Sequence, residues 1–434
     1  MNMKTKICRL VPLLLLGTAF TGVSQNHPAA APRHDMTIIR PSGDTDSTTV
    51  DVYDIFLENA PKAYNIPGAP RFAIEGKGRK FYLGIGGTAK ATVSYDWGNP
   101  IDNAYDFTTS AIPMSQPKGN GGLCQFSAAT SGLFLNFVAL PGSKHQIGAY
   151  IDFNFTGNGN SYGFNLFYAY IKFHGFTAGY DFSLFSDMAA APPSIDNEGP
   201  NALTAIPNGV IDYRHSFNKH WSVGVGAEMP MMSATYGAKT ANVNQRVPDV
   251  PAYVQYSWNA GKSWVRFSGI IRNMLYRDLE ADRNRNSCGW GLKVSGSASL
   301  GPVVTYYQAA YGRGITSYFQ DLYEGGLDMV PDGNGRLKAV KAWGGYFGLQ
   351  YNFSPKVFAT ATYSHLRNYA GRYTDGTAAW GGQYRYAQYA LANVIWNITP
   401  QISTGIEYIY GRRVDMGGIS RHDNRIQTML QFTF

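Results

Sequence analysis

The chain has 434 residues, enough for two or three ordinary domains or for one large barrel. Aromatic residues reach 14%, through 30 Tyr and 24 Phe, beside 49 Gly and only 15% charged residues, which excludes a disordered chain and points to an all-β protein. The formal charge is +8, of which three units come from basic residues in the first 24 positions; the remaining +5 is too mild and too scattered for a nucleic-acid partner.

Residues 1–24 read as a secretory signal peptide: Lys4, Lys6 and Arg9 precede LVPLLLLGTAF, and the small residues Gly22 and Ser24 lead to a cut before Gln25. Beyond it, no apolar run reaches the roughly 18 residues a membrane helix needs. Residues 25–79 are polar and proline-rich, as in NHPAAAPRHD and RPSGDTDSTT, and read as a periplasmic N-terminal tail or linker. Within it, VDVYDIFLENAP allows one or two helical turns ended by Pro61, and a docked plug is the alternative reading.

From residue 80 to 434 the text becomes rhythmic. In FYLGIGGTAKATVSYDW (81–97), odd positions carry Phe81, Leu83, Ile85, Val93, Tyr95 and Trp97, while even positions carry Gly84, Thr88, Lys90, Thr92, Ser94 and Asp96. Side chains alternate across a strand, so one face is oily with an aromatic at each end, and the other is small and polar. The same parity recurs in HQIGAYIDFNF, WSVGVGAEM, WGLKVSGSASL and RIQTMLQFTF, and is less clean at 303–312 and 385–397. Short joins fall at 140–145, 174–175, 217–220, 259–262, 300–302, 352–356 and 397–401, where Gly, Pro and Asn supply turns. Long connections are expected at 98–121, 156–161, 186–208, 233–249, 276–287, 313–340, 370–384 and 413–423, making fifteen connections and sixteen strands.

A soluble sandwich or propeller would bury the oily face and needs bulky residues there; the polar face, with its Lys and Asp, cannot fill a dry interior. The inverted arrangement removes the conflict. A transmembrane antiparallel β-barrel turns the oily face to lipid and the polar face to a wet lumen, and closure leaves no unpaired edge. Phe434 ends the last strand on the apolar parity, a pattern like the signal read by outer-membrane barrel insertion machinery.

Parity directs twelve charges inward. Seven are basic before the last strand: Lys90, Lys172, Arg214, Arg266, Arg272, Lys293 and Arg413. Four are acidic: Asp152, Asp212, Glu228 and Glu407. Arg425 lies on the last strand itself. This balance implies a mild preference for anions. No HExxH or GxxxxGK occurs and the eight histidines are dispersed, so neither an enzyme nor a cofactor is expected. DGNG (332–335) and DTD (45–47) read as turn and tail chemistry rather than calcium sites. Cys124 and Cys288 begin the second and tenth strands, on opposite sides of the barrel, and are too far apart to pair.

Three segments carry a resemblance. YDFSLFSDMAAAPPSIDNEGP (180–200), VIDYRHSF (210–217) and LANVIWNITPQISTGIEYIYGRR (391–413) resemble the DcaP-like family of trimeric outer-membrane porins, in a member of the Bacteroidetes type. The resemblance covers residues 80–434. It implies sixteen strands with short periplasmic turns and long extracellular loops, and a third loop folded into the lumen. It also implies a homotrimer among outer-membrane lipids and lipopolysaccharide, passing small hydrophilic and often anionic solutes such as dicarboxylates. An inward third loop would place Asp187, Asp196 and Glu198 opposite the basic wall. The family's N-terminal coiled coil is not expected, since 25–79 has no heptads and several prolines. The alternative is a surface-binding or adhesin-type barrel whose long loops, such as 313–340, do the work while the lumen is plugged.

Overall fold

The computed structural model describes residues 36–39, 52–64, 69–115, 121–157, 162–372 and 378–434; the signal peptide and DTD lie outside the described residues. Sixteen antiparallel strands close one barrel. They begin with β1 (Phe81–Gly98), β2 (Gly122–Ser127 and Gly132–Ala139), β3 (Ile147–Asn154) and β4 (Asn165–Phe173). Next come β5 (Phe176–Phe182), β6 (Pro207–Ser216), β7 (Trp221–Glu228) and β8 (Val250–Trp258). The longest pair, β9 (Ser263–Asp278) and β10 (Arg283–Leu300), leads to β11 (Val303–Arg313) and β12 (Lys341–Asn352). The circuit ends with β13 (Val357–Asn368), β14 (Tyr384–Asn397), β15 (Ile402–Asp415) and β16 (Ser420–Thr433).

The seam pairs β16 with β1, from Asp423 opposite Gly98 to Thr433 opposite Thr88. Arg425 faces its register partner Asp96 there, with Nε–Oδ1 at 2.7 Å and Nη2–Oδ2 at 2.8 Å, a two-pronged charge-assisted pair across the joint. β1 outruns β16, and Phe434, just past β16, bonds to Gly87 in both directions. Below that point the free edge of β1 is taken by Phe72–Glu75, antiparallel, and Thr37–Ile39 adds to it in parallel. An exposed edge is thereby covered.

The barrel is inside out relative to a soluble one. Phe126, Ile211 and Leu292 on the outer face are 73%, 64% and 62% exposed, whereas Lys90, Ser94 and Asp96 point into the buried interior. Aromatic contacts gather at the two rims: Phe81 with Phe137, Trp221 with Tyr256 and Phe432 with Phe434 at one; Tyr95 with Trp97 and Trp290 with Tyr311 at the other. These are the girdles expected where a barrel wall crosses from lipid to water.

One rim carries tight turns. At His174–Gly175 both residues have positive φ, 51° and 83°, the two-residue hairpin geometry whose twist matches the flanking strands. Two connections expected to be long are not. β9 and β10 are joined by 279–282, and β15 and β16 by 416–419, because the polar residues in these stretches continue the ladder. Arg277 pairs with Asn284 and Asp278 with Arg283, and the cross-strand ion pair of Arg285 with Asp278 adds to the hairpin.

The connection 314–340 corrects a further expectation: it lies within the barrel rather than over it. Its residues Ile315, Tyr318, Phe319, Leu322, Leu327 and Val330 are at most 2% exposed and pack with Phe185 against the inner faces of β9, β11, β12, β13 and β14. Packed side chains therefore fill much of the lumen in its long-loop half. Toward the short-turn rim the lining changes to tyrosine, with Tyr150, Tyr168, Tyr170, Tyr306 and Tyr346 around Leu203 and Ala205. The segment read as a tail also enters the barrel: α1 (Val52–Asn59) buries Val52 and Phe56 against Tyr82 and Val138 on the inner wall. Cys124 and Cys288 are exposed and in no disulfide, and DGNG is a turn in which Asp332 accepts the N–H groups of Asn334 and Arg336.

Candidate functional site

The inward charges divide by what they touch. Glu407 of β15 accepts hydrogen bonds from the hydroxyl of Ser194, the N–H groups of Ile195 and Asp196, and the side-chain amides of Asn393 and Gln427, at 2.8–3.1 Å. It thus caps the third long loop, 183–206, against the wall. Lys90 of β1 donates to the Ile195 carbonyl at 2.9 Å, and Lys293 of β10 donates to Thr204 at 3.2 Å. Asp187 of that loop accepts from Trp264 at 3.1 Å and Ser295 at 2.7 Å. Asp196 accepts from the Phe107 N–H at 2.9 Å and the Tyr389 hydroxyl at 2.8 Å.

The other loops are held in the same way. Arg272 of β9, 1% exposed, bonds Asp249 at 2.9 Å and Asp328 at 3.0 Å, and Asp328 accepts from Thr316 and the Ser317 N–H. This joins the 229–249 and 314–340 loops to the wall. Glu228 accepts the Leu184 N–H at 2.9 Å. Arg413 donates to the carbonyls of Ser110 and Gly382. Asp321 accepts from the hydroxyl of Thr109 at 2.6 Å and the N–H of Ser110 at 2.9 Å, tying the first long loop to the 314–340 loop.

What remains available lies around a cavity of about 770 Å³ at the short-turn side, between the β4–β9 wall, the third loop and residues 58–62. Lys62, Lys172, Arg214, Lys219 and Arg266 line it, against Glu58, Asp181 and Asp187. Arg214 bonds Asp212 at 2.9 Å and Asp181 at 3.1 Å, yet its side chain stays 37% exposed; Arg266, which approaches Asp187 at 3.4 Å, stays 18% exposed. Arg266 also lies over the Tyr253 ring at 4.4 Å, with Nε bonded to Gln255 at 2.9 Å. Planar guanidiniums held this way present their remaining donors in a fixed orientation, suited to carboxylate or phosphate oxygens. Lys62 has its ammonium pushed down to about 8, first by burial and then by Arg266.

A second cavity of about 330 Å³ lies on the far side of Met188, lined by Lys90, Asp152, Asp196, Glu198 and Tyr64. Burial raises the Glu198 carboxyl, and the charges of Asp106, Asp321 and Asp196 add to this. Basic groups thus dominate the larger chamber and acidic groups the smaller one.

Of the residues singled out from sequence, Lys172, Arg214, Arg266 and Asp187 share the larger cavity, with Asp212 behind Arg214; Asp152, Asp196 and Glu198 share the smaller one. Lys90 lines the smaller one too while holding the third loop. Arg272, Lys293, Arg413, Glu228 and Glu407 are bound to loops and line neither cavity. Lys62 and Glu58 escaped sequence reasoning because they sit outside the strand pattern; the apolar spacing of Val52, Ile55 and Phe56 was the available signal. Asp181 escaped because its strand ends at the loop, where parity no longer tells in from out.

A family model described as the porin subfamily matches residues 142–429, well over half of the chain. Among solved structures, the chain is similar to the outer membrane channel DcaP of Acinetobacter baumannii, with a TM-score of 0.70 at 20% identity, covering 83% of this chain and 99% of that one. It is also similar to outer-membrane expressed OmpT of Vibrio cholerae (TM-score 0.52, 10% identity, 83% and 100% covered). An anion-selective porin from Comamonas acidovorans is a third relative in fold (TM-score 0.50, 12% identity, 82% and 100% covered). No curated protein matches the chain. The sixteen-strand closed barrel, the inverted faces and the matched family together place it: the chain belongs to the porin subfamily, and is an outer-membrane channel protein.

Proposed function

We propose that the barrel passes small hydrophilic anions, dicarboxylates among them, by diffusion, as a homotrimer seated in outer-membrane lipid and lipopolysaccharide. Residues 1–24 would direct Sec export and be removed on the way, leaving the short-turn rim and both termini on the periplasmic side. The observation that carries this reading is the larger cavity, where Arg214 and Arg266 keep part of their surface open while Asp181 and Asp187 hold them in place, with Lys172 on the same lining. Opposed charges across a narrow passage orient a dipolar solute, and an excess of the basic sign raises the local concentration of anions. The fold shared with an anion-selective porin agrees with this sign. The test is the reversal potential of the reconstituted protein under a KCl gradient, joined to liposome swelling with sugars, amino acids and dicarboxylates. Anion preference and faster swelling with dicarboxylates than with neutral solutes of like size are expected; cation preference overturns the reading.

The packing of the 314–340 loop inside the barrel supports a second reading, a surface-binding barrel with its lumen plugged. Single-channel recording separates the two. Discrete steps support the channel, and silence from a folded barrel supports the plug.

A further inference from the structure

We propose that residues 52–64 are an expellable stopper: a length of the chain's own N-terminal segment, seated inside the short-turn mouth, that restricts the channel and whose withdrawal widens it. The inference rests on the channel reading above.

The segment is inside the wall, not beneath it. Phe56 and Val52 are 0% and 2% exposed against Tyr82 and Val138. The Asn59 amide donates to Asn136 Oδ1 at 2.6 Å and to the Ala149 carbonyl at 3.1 Å, while Asn136 donates back to the Phe56 carbonyl at 2.9 Å. Tyr170 and Lys172 both donate to the Asn59 carbonyl, at 2.7 and 2.8 Å. The Tyr170 and Lys172 bonds satisfy the Asn59 carbonyl at the end of α1, while the Asn136 bond adds to the Ala60 N–H already on the Phe56 carbonyl. The chain then crosses the lumen. Ala60 and Lys62 line the larger cavity, Ala63 and Tyr64 line the smaller, and Tyr64 meets Phe358 of β13 edge-on with ring centres 6.1 Å apart.

The wall is shaped to receive it. A Cβ at Gly148 of β3 would stand 2.1 Å from Asn59 Oδ1, and one at Gly84 of β1 would stand 2.3 Å from Pro70 Cγ and 3.2 Å from Phe56 Cε1. The three nearest atoms to the Cβ at Gly148 all belong to Asn59, and those at Gly84 to Pro70 and Phe56, so the space at Gly148 serves the segment itself and that at Gly84 serves it in part. The seat is also reversible. An eight-residue helix has no stability of its own in water, so once its few contacts break it leaves as a flexible strand able to thread the mouth. The pairing of Phe72–Glu75 with β1 is separate and stays behind as a tether.

The test uses the full chain with Cys124→Ser, Cys288→Ser and Ala60→Cys, the last placing a thiol where the native side chain is 1% exposed. Two derivatives are compared with it in detergent and in planar bilayers: one with Gly148→Val, which drives Asn59 from its seat, and one lacking residues 52–64. The deletion keeps the β1 edge covered and stands in if Gly148→Val fails to assemble. A bulky maleimide should label the Ala60→Cys thiol at least about ten-fold faster once Gly148→Val is added, since protection tracks the docked population. Single-channel conductance should rise at least about two-fold in Gly148→Val and in the deletion. Equal labelling rates, or a deletion that conducts like the parent, overturns the stopper. If no form conducts, the channel reading fails, and the labelling difference alone decides whether the segment leaves its seat.

Discussion

The two halves of the barrel share one wall but put the same kinds of side chain to different use. In the long-loop half, Arg272 and Glu407 are almost fully buried and each bonds a loop. In the short-turn half, Arg214 and Arg266 also have carboxylate neighbours but keep part of their surface open to a cavity. Strand parity assigns both sets to the lumen. What distinguishes them is whether a loop comes back to claim the charge, and that is decided by contacts between residues more than a hundred positions apart, such as Asp196 with Glu407. An inward charge in such a barrel is first a candidate anchor, and a selectivity group only where the loops leave it uncovered.

The strongest way to break this comparison is Arg272→Met. Removing the guanidinium leaves Asp249 and Asp328 buried without it, and stranding buried partners in this way costs about 3–5 kcal/mol. Thermal unfolding followed by the mobility shift of folded barrels on gels should show a lower midpoint, with the reversal potential of the surviving channels unchanged. An unchanged midpoint would mean the buried network does not hold the long-loop half. Glu407→Ala comes next. It deprives five donors of their acceptor and should loosen the third loop by about 1–3 kcal/mol for the groups left unsatisfied. Faster proteolysis within 186–200 and noisier single-channel current are the expected signs; a quiet, protease-resistant channel would count against the loop being held there.

The third effect is on selectivity rather than stability. Arg214→Gln and Arg266→Gln remove partly exposed charges from the larger cavity, so the reversal potential should move toward cations, with a smaller drop in the unfolding midpoint than Arg272→Met gives because water reaches these guanidiniums. The matched control, Lys293→Gln, alters a 3% exposed group bound to Thr204 and should leave selectivity in place. A larger selectivity change in the control than in the arginine variants would reverse the assignment of the two halves.

Much of the wall was legible in the sequence, and little of what fills it. Alternation along Phe81–Trp97 is a local consequence of backbone pleating, so it survives in the text and gives the strand, its outer face and its inner one. The sixteen-strand count follows from the turns, though polar composition concealed that 276–287 and 413–423 are mostly strand. The 314–340 loop was illegible for the opposite reason. Ile315, Phe319 and Leu322 have no strand period, and their burial depends on meeting Phe185 and Ala202 from another loop. Likewise, nothing about Gly148 in the text says that its missing side chain makes room for Asn59.

The smallest predicted effect concerns pH and sharpens the comparison at the boundary between the halves. The Asp196 carboxyl, on the third loop, is pushed up to about 7, first by burial and then by the charges of Glu407 and Asp106. Asp106 and Glu198 beside it are raised too, chiefly by burial. A carboxyl whose value is higher in the folded protein than its ordinary 3.8 binds a proton more tightly when folded. Its contribution to stability is therefore complete below about pH 4 and is lost as pH rises through 7. The loop should sit most firmly in acid and loosen above neutrality, where an ionised Asp196 faces two carboxylates. Current noise in planar bilayers should accordingly grow from pH 5 to pH 8. Asp196→Asn retains an acceptor for the Phe107 N–H but cannot ionise, so it should flatten that rise while Asp106 and Glu198 leave a residual slope. If the variant keeps the full pH profile, the loop's seating is governed by something other than this carboxyl.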